Sequence, residues 1–287
     1  MILTKRSSRK KLCLIARLGW IITSCRHLLD LWSRSNITQQ VRSVGRKIMD
    51  IVLVTGGSRG LGLAISKRLT STGYKVIVVG RNCSPECEEW LAVTDNAVFE
   101  PFDFSDTSGI HEFSQQVTKK YGRLYGLVNN AALGLDGVLA TMHESDISRV
   151  LRVNIEAPIL LTKYLLRPML INRKGRVINI SSIIGSTGFK GLAVYGATKS
   201  AMNGFTKSLS REVGKAGITV NSVAPGYMAT DMTQGLGGEK LESIKRRSPL
   251  GELAHVDDVA GMVNYLMSDE ARMITGTVIT VDAGSTA

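Results

Sequence analysis

The feature that most constrains this chain is the junction at residues 51–70. Five apolar, mostly β-branched residues (51–55) run into Thr55-Gly56-Gly57-Ser58-Arg59-Gly60-Leu61-Gly62, after which Leu, Ala, Ile and Leu recur at helical spacing as far as Thr70. A strand that feeds a helix through a turn this rich in glycine lets backbone amides approach a bound group closely, and the helix N-terminus favours a negative one; both suit a pyrophosphate. Glycines also serve ordinary tight turns, so the flanking strand and helix are what make the segment a candidate dinucleotide site. Its spacing is TGxxxGxG rather than GxGxxG, and the candidate contacts are Gly56, Ser58, Arg59, Gly60, Leu61 and Gly62.

The same alternation continues. Apolar runs at 75–79, 97–99, 124–128, 176–180, 219–223 and 278–281 are separated for the most part by helical stretches, among them 144–170 and 197–214. Runs that are apolar without polar alternation are expected of parallel strands covered on both faces. The fold class is therefore α/β, a single Rossmann-like doubly wound parallel sheet of about seven strands flanked by helices, with ligands gathered at the strands' carboxyl ends. No repeat, linker or low-complexity segment divides residues 49–287, which read as one dinucleotide-binding domain.

Charge separates the first 48 residues from the rest. The whole chain carries +12, but residues 1–50 hold a net +9 and the remainder only +3, so the body gives no electrostatic reason to expect a nucleic-acid partner. The apolar run at 12–23 is too short to span a bilayer and is interrupted by Arg17. The basic extension fits a mitochondrial transit segment, a helix lying on an anionic surface, or translation upstream of a working start at Met49. The expected location is cytoplasmic, or the mitochondrial matrix if residues 1–48 are a transit segment. The four cysteines and four histidines show no metal-ligand spacing, and no metal is expected; free thiols in a reducing compartment are.

At the end of the second strand an NAD site would place an acid near the ribose 2′-hydroxyl. Here the sequence reads Val78-Val79-Gly80-Arg81-Asn82, and Arg81 with Arg59 offers two guanidinium groups for a 2′-phosphate, which favours NADP(H). Asp103, after the third strand, either positions the adenine end or caps a turn. Asn129-Asn130-Ala131-Ala132 follows the fourth strand, where small residues let the backbone pass close to a ring-shaped ligand.

Ser182, Tyr195 and Lys199 form the sharpest constellation. The four-residue spacing of Tyr195 and Lys199 puts them on one helix face, where an ammonium would stabilise the phenolate and make the phenol a usable general acid at neutral pH. Ser182 sits in a loop after the fifth strand, placed to hold a carbonyl oxygen. Asn154 lies in the helical stretch 144–170, four residues before Pro158, whose missing amide leaves the Asn154 carbonyl without its helical partner and able to hold a water in a proton path from Lys199.

Together the turn at 55–62, Asn129–Ala132, Asn154, Ser182, Tyr195, Lys199 and Pro225-Gly226 resemble the short-chain dehydrogenase/reductases over residues 50–287. Within that family, Asp231-Met232-Thr233 and Ile274-Thr275-Gly276 before Val281-Asp282 look most like the 3-oxoacyl-[acyl-carrier-protein] reductases. The resemblance implies Tyr195 as proton donor, Lys199 binding ribose, Ser182 orienting the carbonyl and Asn154 supporting a water relay. It adds Asn129, Pro225, Gly226, Met228 and Thr230 to the cofactor contacts, and it implies an NADPH-dependent homotetramer of fatty-acid biosynthesis. It also implies basic residues beside the site entrance that meet an acidic acyl carrier protein: Arg173 matches one, and the second position is Ala216 with Lys215 adjacent. The expected reaction is reduction of a 3-oxoacyl thioester on acyl carrier protein or CoA. Reduction or oxidation of another carbonyl or alcohol, such as a sugar or small ketone, and a non-catalytic dinucleotide-binding subunit are the alternatives.

Small departures from the family pattern are Ala132, Ala283 and Thr198, in place of the usual Gly, Gly and Ser.

Overall fold

The computed structural model describes residues 49–228 and 238–287. What was read from residues 1–48, and Thr230 with the segment 231–233, lies outside the described residues. Met49–Ala287 form a compact unit.

Seven strands build one sheet: β1 (Ile51–Thr55), β2 (Lys75–Gly80), β3 (Ala97–Pro101), β4 (Gly126–Asn129), β5 (Gly175–Ile180), β6 (Ile218–Pro225) and β7 (Val278–Val281). Their order is β3-β2-β1-β4-β5-β6-β7, and every pairing is parallel. The strand order reverses direction between β1 and β4, and a crevice opens there at the carboxyl ends.

The helices are α1 (Gly60–Ser71), α2 (Pro85–Ala92), α3 (Ile110–Tyr121), α4 (Glu144–Leu151), α5 (Ala157–Asn172), α6 (Ile184–Thr187), α7 (Ala193–Val213), α8 (Gly238–Arg247) and α9 (Val256–Met267). They cover both faces. Val52, Val54, Val76 and Val78 pack with Leu63, Ile65 and Leu69 of α1 and Val259 and Val263 of α9. Leu53, Ile77 and Val79 face the other way, against Phe113 of α3, Leu161 and Leu165 of α5 and Leu209 of α7. The two-residue period of a strand thus sends alternate side chains into two separate cores, which is why these strands read as unbroken apolar runs. Leu53 is fully buried, and its truncation to alanine would destabilise the fold by about 2–5 kcal/mol.

The stretch 144–170 is not one regular helix. Between α4 and α5 the chain widens into a π-helical turn over Arg152–Glu156, directly before Ala157-Pro158. Pro158 cannot donate to the carbonyl of residue 154, and its ring crowds that carbonyl; widening the turn relieves the clash without ending the helix. Asn154 sits within this turn and is buried.

Candidate active site

The first two loops of the crevice are tied to each other. Thr55 Oγ1 accepts the amides of Asn130 and Ala131, both at 2.9 Å, while Asn130 Nδ2 donates to the carbonyls of Thr55 and Gly56 at 2.9 and 3.1 Å. Gly56 has φ +63°, and a Cβ there would stand 2.9 Å from Ala131 Cα. At Gly62 an added Cβ would fall 2.0 Å from the Gly56 carbonyl oxygen. Only glycine allows this close fold of turn upon helix start, and the resulting cradle at the N-terminus of α1 fits a dinucleotide pyrophosphate.

Ser58 is buried, whereas Arg59 and Arg81 are both exposed. Arg81 follows β2 on the edge next to β3, where Phe102 N donates to Gly80 O at 2.9 Å. Across from it, Asp103 accepts the Ser105 amide at 2.9 Å, so the carboxylate caps a turn. That amide, then the Ser105 hydroxyl, Arg81 and Arg149, hold its carboxyl below the usual carboxylate range. A carboxylate therefore does stand within the field of Arg81, which the second strand's own sequence did not reveal.

Asn129 and Asn130 have different tasks. Asn129 Nδ2 donates to Thr162 Oγ1 at 3.0 Å and to Asn179 Oδ1 at 2.8 Å, and Asn179 Nδ2 donates onward to Thr206 Oγ1 at 2.8 Å. The side chain of Asn129 is thus turned into the layer between sheet and helices, leaving only its main chain at the crevice. Asn130 does the bracing there, a role that the sequence reading gave to neither residue singly.

Asn154 joins the β4 loop to α7. Its Oδ1 accepts the Leu133 amide at 2.7 Å, and its Nδ2 donates to Leu133 O at 2.9 Å and to Thr198 Oγ1 at 3.1 Å. Thr198 Oγ1 donates in turn to Tyr195 O at 2.7 Å. The amide side chain is a clamp that sets the loop's distance from the helix bearing Tyr195 and Lys199.

Ser182 and Tyr195 are brought together: the Ser182 hydroxyl, whose Oγ accepts the Ile184 amide at 3.2 Å, stands close enough to bear on the Tyr195 phenol. The Tyr195 phenol is pushed up to about 12, chiefly by burial; the Ser182 hydroxyl works the other way, and the fields of Asp136 and Tyr227 add to the rise. Lys199 does not lower it. Its Nζ donates to Ile180 O at 2.8 Å and lies 5.5 Å from the centre of the Tyr195 ring. The expected phenolate–ammonium pair is therefore absent from this arrangement, because the ammonium is committed to a strand-end carbonyl and the phenol is buried. Burial brings the Lys199 amine down to about 8. At neutral pH Tyr195 keeps its proton, the state that a general acid requires.

Pro225 ends β6, and Gly226 N donates to Val281 O at 2.9 Å. A Cβ at Gly226 would meet Asp282 Cβ at 2.6 Å, so the chain leaves β6 pressed against the end of β7. Tyr227 follows, its ring edge-on to Phe189 at 5.9 Å between centres, and Met228 packs against the core of the α1 face. Tyr227 was not anticipated; an aromatic hydroxyl two residues beyond the β6 carboxyl end was the available signal.

Arg173 and Lys215 do meet, since the Arg173 guanidinium donates to Lys215 O at 2.8 Å. Their position corrects the expectation that they flank the site entrance. Arg173 precedes β5 and Lys215 precedes β6, so in an all-parallel sheet both stand at the amino ends, opposite Ser182 and Tyr195.

Comparison with known proteins agrees with this geometry. A family model described as enoyl-(acyl carrier protein) reductase matches residues 56–286. The chain is 36% identical to the 3-oxoacyl-[acyl-carrier-protein] reductase of Escherichia coli over 236 residues, which cover 82% of this chain and 96% of the relative. Against that of Haemophilus influenzae it is 39% identical, covering 82% and 97%. Among solved structures, a putative gluconate dehydrogenase from Agrobacterium tumefaciens superimposes with a TM-score of 0.78 at 26% identity, covering 83% of this chain and 96% of that one.

Proposed function

The chain belongs to the short-chain dehydrogenase/reductase family of oxidoreductases, and from that premise we propose that it reduces a 3-oxoacyl thioester to the 3-hydroxyacyl thioester with NADPH. The observation that carries the reading is the Ser182–Tyr195 pair: a half-buried hydroxyl beside a phenol that keeps its proton at neutral pH and that this hydroxyl favours in its ionised form. Ser182 and Tyr195 hold the ketone oxygen between them. The reduced nicotinamide, when bound, supplies the hydride to the carbonyl carbon. Tyr195 then gives its proton to the oxygen, which no longer has to exist as a free alkoxide.

In this reading Lys199 binds the cofactor ribose and returns a proton to Tyr195, and Asn154 keeps loop and helix at working distance. NADPH is preferred to NADH because Arg59 and Arg81, exposed beside the cradle, suit a 2′-phosphate. The assembly we propose is a homotetramer acting in fatty-acid biosynthesis in the cytoplasm. For Arg173 and Lys215 to meet an acidic carrier that serves a given Tyr195, that site has to belong to a second copy of the chain.

A second reading has its own support: the structural neighbour described as a putative gluconate dehydrogenase makes a sugar-acid alcohol the competing substrate class. The test is NADPH consumption by the full chain with acetoacetyl thioester on carrier protein and on coenzyme A, with NADH in parallel and Tyr195→Phe as control. Turnover with NADPH that is lost in Tyr195→Phe while NADPH binding persists supports the reading. Tight NADPH binding without turnover of either thioester removes it.

A further inference from the structure

Tyr227 presents a polar atom that the fold does not explain. Its Oη is closed off from solvent and has no hydrogen-bond partner among the described residues. A buried hydroxyl without a partner destabilises a fold. A phenylalanine would make the same edge-on contact with Phe189 without that penalty, so packing alone accounts for the ring and not for the oxygen.

The position of that oxygen is fixed from several sides. The chain enters residue 227 from Gly226, pinned by its amide to Val281 and leaving no room for a Cβ beside Asp282. Phe189 belongs to the loop between α6 and α7, and the neighbouring Gly191 carbonyl accepts the Gly137 amide at 2.9 Å, which ties this loop to the one after β4. The loops that follow β4, β5 and β6 thus converge at the carboxyl ends of the strands, with Tyr195 on α7. The Tyr195 phenol feels Tyr227, and both phenols feel Asp136, so the three groups occupy one neighbourhood.

We propose that Tyr227 is a specificity-determining residue whose Oη donates a hydrogen bond to the second carbonyl of the substrate, the thioester oxygen of a 3-oxoacyl group. The inference rests on the reading of the substrate as a 3-oxoacyl thioester. In such a substrate the ketone and thioester carbonyls are separated by one methylene. While Ser182 and Tyr195 hold the ketone oxygen, the other oxygen lies within reach of a neighbouring donor. The contact exists in the ground state as well as in the transition state, so it acts on binding rather than on the chemical step.

Tyr227→Phe in the full chain tests this, because it keeps the ring against Phe189 and removes only the hydroxyl. The readouts are steady-state kinetics with NADPH and acetoacetyl-coenzyme A, and NADPH affinity by fluorescence titration. The expected result is a KM for the thioester raised about tenfold with kcat held within about twofold, and NADPH affinity unchanged. An unchanged KM, which is what a packing role of the ring would give, overturns the inference, as does a fall in kcat accompanied by weaker NADPH binding. If the unsubstituted chain binds NADPH but does not turn over the thioester, the reading of the substrate fails and takes the inference with it. Turnover by the unsubstituted chain with no KM change in the variant removes the inference alone.

Discussion

Replacing Lys199 with methionine removes an ammonium and keeps most of the stem. Burial brings this amine from its ordinary 10.5 down to about 8 in the folded chain. Between those two values the folded state holds fewer protons than the unfolded state, so stability rises with pH through the window, and the charged amine weighs fully on the fold below it. At about 1.4 kcal/mol for each pKa step, the weight at pH 7 is about 3 kcal/mol. Methionine also leaves the carbonyl of Ile180, now bonded at 2.8 Å, without its donor, which offsets about 1 kcal/mol. Lys199→Met is therefore expected to be more stable than the unsubstituted chain by about 2 kcal/mol at pH 7, with the advantage vanishing and then reversing as pH rises towards 10.5. Equilibrium urea unfolding of both proteins at a series of pH values, without dinucleotide, measures the difference directly. A variant less stable at pH 7, or a difference that does not change with pH, would refute the reasoning. The same substitution should abolish turnover, which makes Lys199 a group kept for function at a loss of stability.

Two further substitutions probe the backbone. Gly62→Ala drives a Cβ against the Gly56 carbonyl and should weaken NADPH binding about 10- to 100-fold, as measured by titration, because the turn must shift by an amount typical of overpacking. Ala283 has φ +56°, so Ala283→Gly should relieve left-handed strain and, after allowing for the freer unfolded chain, stabilise by about 0.5–1 kcal/mol; a melting temperature that does not rise in a thermal scan contradicts this.

The sheet was legible because parallel strands covered on both faces leave a strong mark: β1 and β7 fall where the apolar runs put them, and the ends of the other strands shift by at most two residues. The Gly-rich turn was legible for the same kind of local reason, since Gly62 is a glycine through a close approach to the Gly56 carbonyl, six residues away. What escaped was set by contacts distant in sequence. Nothing near Lys199 announces that its ammonium would find Ile180, nineteen residues away. Asn129 and Asn130 are adjacent and identical in type, and only the strand's alternation sends one into the core and the other to the crevice. The π-helical turn at Arg152–Glu156 was half visible: Pro158 foretold a missing bond, but a wider winding and a kink satisfy that constraint equally well. The place of Arg173 and Lys215 followed from strand polarity alone, since residues just before parallel strands lie at the end away from the ligand.

The most direct test of the central claim is a comparison of kcat/KM, on one preparation of the full chain, for reduction of acetoacetyl thioester with NADPH and for oxidation of gluconate with NADP+. The account predicts efficient thioester reduction that depends on Tyr195, and gluconate oxidation no faster than background. Efficient gluconate oxidation with the thioester left unreduced would contradict it, keeping the fold and the catalytic group but moving the substrate to sugar acids.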